Sequence, residues 1–158
     1  MLTGSRILIC EDEPFIALDL AALVEDAGGE VIGPAASVRE ALDLLRQGPV
    51  SGAILDVHLV DRDVTPVAVL LIDGGVPVVI QTGVALPPAL RERYPALAVW
   101  SKPVRSERMI EHLARRMAEH VARPSARPLA GSWAEPQCAA PPGVPLPVRP
   151  LRAGWDRG

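Results

Sequence analysis

The sequence predicts an α/β domain in which five strands alternate with five helices and form a parallel sheet. Short aliphatic runs alternate along the chain with segments of helical spacing, and polar residues follow most of these runs. The chain has 158 residues, of which 49% are hydrophobic and 3% aromatic, so it can bury one aliphatic core. Because crossovers between parallel strands are right-handed, we expect helices on both faces of the sheet.

The predicted strands are short and rich in aliphatic residues. The first, residues 6–10, is a continuous aliphatic run that stops at three acids, as expected of a parallel strand buried on both faces. The same reasoning places the other strands at residues 31–32, 53–57, 76–80 and 97–100.

Start and stop signals predict a helix after each strand. Pro14 suits the first turn of the first helix, and a glycine pair ends it. Ser37 and Glu40 have the spacing of a capping box. Thr65 is expected to cap the third helix, with Pro66 in its first turn. With their caps, the helices are expected at about residues 14–27, 37–48, 65–72, 87–94 and 106–121.

Composition divides the chain into a domain, residues 1–122, and a tail, residues 123–158. The domain holds 9 prolines and a net charge of -6, whereas the much shorter tail holds 8 prolines and a net charge of +3. Such a proline-rich segment lacks the donors for regular hydrogen bonding, so we expect an extended or disordered tail with no output domain. The scarcity of aromatic residues and of a folded basic module argues against a nucleic-acid partner.

The sequence also bears on location. No apolar run reaches the roughly 18 to 20 residues that span a bilayer, and acids interrupt the only candidate for a signal peptide. The two cysteines, Cys10 and Cys138, lie far apart and suggest no disulfide framework. We therefore expect a cytoplasmic protein without membrane insertion.

Chemically useful side chains follow four of the predicted strands. Ligands of open parallel sheets bind beyond the carboxyl ends of the strands. The residues found there are Glu11-Asp12-Glu13, Asp56, Thr82-Gly83 and Lys102-Pro103. Grouped carboxylates favour a hard divalent cation such as Mg²⁺, and a lysine with a hydroxyl suits a phosphoryl group. Lys102 is the single lysine among 16 basic residues, where a compact point charge is required.

Four motifs follow one another along the chain: Ile9-Cys10-Glu11-Asp12-Glu13, Leu55-Asp56-Val57-His58-Leu59, Gln81-Thr82-Gly83 and Ser101-Lys102-Pro103-Val104. In this order they resemble response-regulator receiver domains, the phosphoacceptor modules of two-component signalling. The resemblance runs from Arg6 to about Ala122, and it implies a flavodoxin-like (βα)₅ fold with strand order 2-1-3-4-5. The Thr-Gly pair after the fourth strand further resembles a variant common in stand-alone regulators.

The resemblance also implies a role for each site residue. Asp56 would be the phosphoacceptor, and Lys102 and Thr82 would contact the phosphoryl group. Mg²⁺ would be held by Glu11, Asp12, Asp56 and the main-chain carbonyl of His58.

The implied activity is that of a phosphorelay protein. The donor would be a histidine kinase or a histidine phosphotransfer protein, and the phosphoryl group would later be lost by hydrolysis. Apart from this self-modification at Asp56, no enzyme activity is expected. Signalling would pass to an unknown downstream protein through the face built from the fourth helix, the fifth strand and the fifth helix, where a homodimer would also form.

Two alternatives stay open. Val84 and Val99 stand where many receivers have aromatic residues, and the loop at residues 61–63 lacks the usual glycine, which favours an adaptor that binds its partner without phosphorylation. A phosphatase with an aspartyl-phosphate intermediate ranks last, because such enzymes carry Asp-x-Asp after the first strand, where this chain has Glu11-Asp12-Glu13.

Overall fold

The computed structural model describes residues 1–122, which have the predicted alternation of strands and helices. The predicted tail, residues 123–158, lies outside the described residues. The strands β1 to β5 are Arg6–Cys10, Glu30–Ala35, Gly52–Asp56, Val78–Thr82 and Ala98–Ser101. The helices α1 to α5 are Pro14–Asp26, Val38–Gln47, Thr65–Asp73, Pro88–Arg93 and Ser106–Val121.

The five strands form one parallel sheet in the order β2-β1-β3-β4-β5, which confirms the expected flavodoxin-like fold. The strand register is level at the carboxyl edge, where Cys10 pairs with Leu55 and Asp56 pairs with Gln81. Residues that follow the strands therefore meet at this edge.

Each face of the sheet has its own aliphatic core. One core lies under α2, α3 and α4 and includes Leu8, Cys10 and Leu55. The other lies under α1 and α5 and includes Ile7 and Ile9. This division follows from the alternation of side chains along each strand. Burial of one Leu or Ile side chain contributes about 1.5–3 kcal/mol to the free energy of unfolding relative to an exposed one. The two cores thus stabilise the sheet and hold the strand ends in place.

The helix starts agree with the predictions except at α3. Ser37 and Glu40 form the predicted capping box at the start of α2. At α3 the N-cap is Val64, and Thr65 is already helical, so the prediction of Thr65 as the cap was wrong. The side chain that satisfies this helix end belongs to Asp63, whose carboxylate accepts a hydrogen bond from the Thr65 N–H at 2.9 Å.

Strand β2 is longer than the sequence predicts. It extends through Gly33 and Pro34, and its pairing with β1 is irregular between Leu8 and Cys10. Gly33 has a φ of 103°, and a Cβ there would lie 2.8 Å from the Ala35 nitrogen. Glycine has no Cβ and adopts a positive φ without strain, so it fits this position. The edge strand therefore continues through the Gly-Pro pair with an irregular pairing.

None of the helices within residues 1–122 is both long and apolar enough to cross a bilayer.

Candidate functional site

Four polar side chains form a row across the carboxyl edge of the sheet, and we call Glu11, Asp56, Gln81 and Lys102 the site row. Strand alternation explains the row, because every member lies two residues beyond a side chain of the core under α1 and α5. Those preceding side chains are Ile9, Ile54, Val79 and Trp100.

The Lys102 ammonium bridges the two carboxylates of the site row. Its Nζ lies 2.6 Å from Asp56 Oδ2 and 2.9 Å from Glu11 Oε2. Glu11 Oε2 also accepts a hydrogen bond from Gln81 Nε2 at 2.8 Å. Glu11 is only 2% exposed and Asp56 only 7%. The two carboxylates are therefore stabilised by the Lys102 ammonium rather than by water.

Burial and hydrogen bonding change the proton affinity of two members of the row. Burial raises the pKa of the Glu11 carboxyl, and the hydrogen bond from Lys102 opposes that rise. Burial acts to lower the pKa of Lys102, but its hydrogen bonds to Asp56 and Glu11 outweigh burial and raise it. Lys102 is therefore fully charged at neutral pH.

The carboxylates of the site fit a divalent cation. Glu11, Asp12 and Asp56 each offer one oxygen, and these three oxygens lie within 4.8 Å of one another. Hard oxygen donors are the ligands that Mg²⁺ prefers. The single ammonium of Lys102 leaves part of the negative charge uncompensated, so this donor set can accept a metal ion.

Comparisons with known proteins agree with this fold and site. No protein-family model matches the sequence. The phyllosphere-induced regulator PhyR of Methylorubrum extorquens is 48% identical over 59 residues, which are 37% of this chain and 22% of that regulator. A CheY-like response regulator receiver domain protein from Methanospirillum hungatei has a TM-score of 0.65 and 26% identity, with coverage of 74% of this chain and 96% of that one. The described part of this chain resembles response-regulator receiver domains in fold and in sequence.

Some of the proteins similar to this chain are longer than the part that it matches. The response regulator PhyR from Brucella abortus has a TM-score of 0.60 and 29% identity, and the match covers 77% of this chain but 52% of that structure. The chain thus spans about half of that structure, and its match covers 22% of the Methylorubrum regulator. The similarity therefore concerns a part of these regulators and not their whole length.

Thr82, whose hydroxyl is predicted to contact a phosphoryl group, lies at the end of β4 and is buried. Its Oγ1 donates to the Val84 carbonyl at 3.1 Å and accepts from the Val84 N–H at 3.1 Å. Strand alternation turns it away from the site row. Its contact with a phosphoryl group stays a prediction, and it requires these two bonds to break.

The remaining predicted metal ligand lies in the loop after β3. His58 is exposed, and its main chain forms an isolated antiparallel bridge with Asp63. The role of its carbonyl as a ligand stays a prediction. Asp12, by contrast, belongs to the acidic cluster with Glu11 and Asp56.

The same loop is tied to α2 by a residue for which the sequence analysis predicted no contact. The Asp61 carboxylate accepts hydrogen bonds from the Val38 N–H at 2.8 Å and the Arg39 N–H at 3.2 Å. The Val38 bond is the main reason that the pKa of Asp61 is lowered. Asp61 thus supplements the capping box at the start of α2. An acid 23 residues away from a helix start carries no local signal of this contact.

Gln81 is the site residue whose role sequence reasoning missed. It is completely buried, and it faces the same core as Val79. A signal was available, because an amide two residues beyond an inward-facing valine lies on the same side of the strand.

A separate cavity lies at the amino ends of β4 and β5, opposite the edge that carries the site row. A cavity of about 720 Å³ is lined by the starts of β4 and β5 and by the ends of α3 and α5, including Val76, Leu97 and His120. Since the site row lies at the carboxyl ends of the strands, this cavity is separate from the acidic cluster.

Proposed function

We propose that this receiver domain accepts a phosphoryl group on Asp56 from a phosphohistidine donor in a Mg²⁺-dependent phosphorelay. The observation that carries the proposal is the site row, in which one ammonium bridges a nearly buried glutamate and the Asp56 carboxylate. The acidic cluster beside it has the donor set for a divalent cation.

The chemistry is a transfer between nitrogen and oxygen. A carboxylate oxygen of Asp56 attacks phosphorus, the bond between phosphorus and the donor imidazole nitrogen breaks, and that nitrogen keeps the electron pair and takes up a proton. The product is an acyl phosphate on Asp56. Later attack of water on phosphorus releases inorganic phosphate and restores the carboxylate. This is self-modification, so no turnover of a separate substrate is required.

The other residues prepare Asp56 for this step. Glu11, Asp12 and Asp56 would hold Mg²⁺, which supplies charge neutralisation between the carboxylates and the phosphoryl oxygens. Lys102, which already lies 2.6 Å from Asp56 Oδ2, would follow the negative charge onto the phosphoryl group. The Thr82 hydroxyl, now bonded to Val84, would turn to the same group.

The direct test is labelling by radioactive acetyl phosphate with and without MgCl₂. We expect labelling of the wild type that requires Mg²⁺ and is lost in Asp56→Asn. Asp73→Asn is the matched control, because Asp73 ends α3 and bonds Tyr94, so it should label like the wild type. Equal labelling of wild type and Asp56→Asn would refute the assignment.

A second candidate is an adaptor that binds its partner without phosphorylation. Two observations favour it. The Thr82 hydroxyl forms two hydrogen bonds with the main chain of Val84. Val99 on β5 stands where many receivers have an aromatic residue, and it is 42% exposed. Under this proposal the exposed face formed by α4, β5 and α5 would bind the downstream protein in either state. Partner affinity measured before and after phosphorylation decides between the two, since the adaptor requires equal affinity.

A further inference from the structure

Gln81 is the member of the site row that the proposed function leaves without a task. Its Nε2 donates to Glu11 Oε2 at 2.8 Å, whereas its buried Oε1 has no hydrogen-bond partner among the described residues. A buried amide with an unmade bond costs free energy, and its three neighbours in β4, residues 78–80, are aliphatic. An apolar residue would pack here without that cost, so the amide calls for a functional reason.

The hydrogen bonds of Glu11 suggest that reason. Its Oε2 is shared by Lys102 Nζ and Gln81 Nε2, and its Oε1 accepts a bond from the Glu13 N–H at 3.2 Å. The Lys102 ammonium is also committed to Asp56 at the shorter distance of 2.6 Å. If Asp56 gains a phosphoryl group, that ammonium has new charged oxygens to pair with. Gln81 then remains as the neutral donor that keeps Oε2 in place.

We propose that Gln81 is a positioning residue whose amide holds the Glu11 carboxylate in the orientation needed for cation binding, wherever the Lys102 ammonium lies. This inference rests on the proposed function. Partners that orient a ligand carboxylate in this way typically change metal affinity by roughly 10- to 100-fold when they are removed. Gln81 therefore acts through Glu11 and touches neither the cation nor the phosphoryl group.

The first test uses the side-chain amides as probes in the intact chain. The sequence contains no asparagine and three glutamines, Gln47, Gln81 and Gln137, so a ¹H–¹⁵N spectrum contains three side-chain NH₂ pairs. When MgCl₂ is added, the Gln81 pair should shift with the same midpoint that calorimetry gives for Mg²⁺ binding. The pair of Gln47, which is exposed at the end of α2, should stay in place. A Gln81 pair that does not move while calorimetry detects Mg²⁺ binding would overturn the inference.

The second test removes the donor. Gln81→Met keeps the length of the side chain without its N–H groups, and it should raise the Kd for Mg²⁺ by about tenfold or more. Gln47→Met is the matched control and should leave the Kd within twofold of the wild type. If the wild type binds Mg²⁺ and is labelled by acetyl phosphate while Gln81→Met binds Mg²⁺ equally well, only this inference fails.

The remaining outcomes are also decisive. If the wild type neither binds Mg²⁺ nor is labelled, the proposed function fails and this inference fails with it. If Gln81→Met does not fold, the spectrum of the wild type decides alone, because its Gln81 pair can be assigned by through-bond correlation.

Discussion

Replacing Lys102 by methionine should destabilise the domain strongly, because it leaves Glu11 and Asp56 without their shared counter-charge. Both carboxylates are almost completely buried, at 2% and 7% exposure. Breaking a buried ion pair from one side costs about 3–5 kcal/mol. The Lys102 side chain is 21% exposed, so we take the lower end, about 3 kcal/mol. For a domain of this size that corresponds to a fall in Tm of about 12 °C.

Magnesium should reverse much of this loss. A ligand at about 100 times its Kd stabilises the folded state by about 2.7 kcal/mol, which is close to the loss expected for Lys102→Met. The gain in Tm on adding MgCl₂ should be larger for the variant than for the wild type, since the wild-type ammonium already neutralises part of the acidic cluster.

Acid should reverse part of the loss as well. Burial gives Glu11 a folded-state pKa above its unfolded value of about 4.5, so stability falls as the pH rises through that interval. Without Lys102 to oppose it, the pKa of Glu11 should rise further. In the variant, Glu11 should then take up a proton at a higher pH than in the wild type, and a protonated Glu11 no longer repels Asp56. The difference in Tm between variant and wild type should therefore be smaller at pH 5 than at pH 7.

Thermal unfolding followed by circular dichroism measures all three effects. Lys102→Arg is the matched control, because it keeps the charge but replaces a compact ammonium by a planar guanidinium. It should lose less stability than Lys102→Met and still impair phosphorylation-dependent switching. The reasoning would be refuted if Lys102→Met matched the wild type in Tm without Mg²⁺ and both proteins gained equally when Mg²⁺ was added.

Two further predictions concern parts of the fold outside the site row. Ser37→Ala removes the acceptor for the Glu40 N–H and should lower the free energy of unfolding by about 1 kcal/mol, or Tm by about 4 °C. Ser37→Asn should retain most of the stability. Equal losses of both variants in thermal melts would contradict the capping role. Burial raises the pKa of the Cys10 thiol to about 12. In a Cys138→Ser background, a disulfide reagent at pH 8 should therefore label Cys10 only after unfolding. Fast labelling of the native protein would contradict the burial of this thiol.

Local signals were sufficient to predict most of the fold and the outline of the site. Aliphatic runs identified β1 and β3, and the start signals of α1 and α2 placed the beginnings of these helices correctly. Residues that follow parallel strands must meet at one edge, so the proximity of Glu11, Asp56 and Lys102 followed from the strand pattern.

The features that escaped prediction depend on contacts distant in sequence or on unusual backbone. Gln81 meets Glu11 across 70 residues, and the registers of β1 and β4 against β3 bring these two side chains together. Asp61 caps a helix start 23 residues before it. The sequence analysis placed the second strand at residues 31–32 only, whereas β2 continues through Gly33 by an irregular pairing with β1.

The side-chain alternation that builds the site row limits which insertions and deletions β4 can tolerate. Side chains alternate with a period of two, so the loss of one residue between Val78 and Gln81 would exchange the two sides of everything after it. Thr82 would then face Glu11, and Gln81 would enter the core beneath α3 and α4. Length changes should therefore be confined to the connections before and after this strand, such as residues 83–87, where the chain can absorb them without altering which atoms surround Asp56.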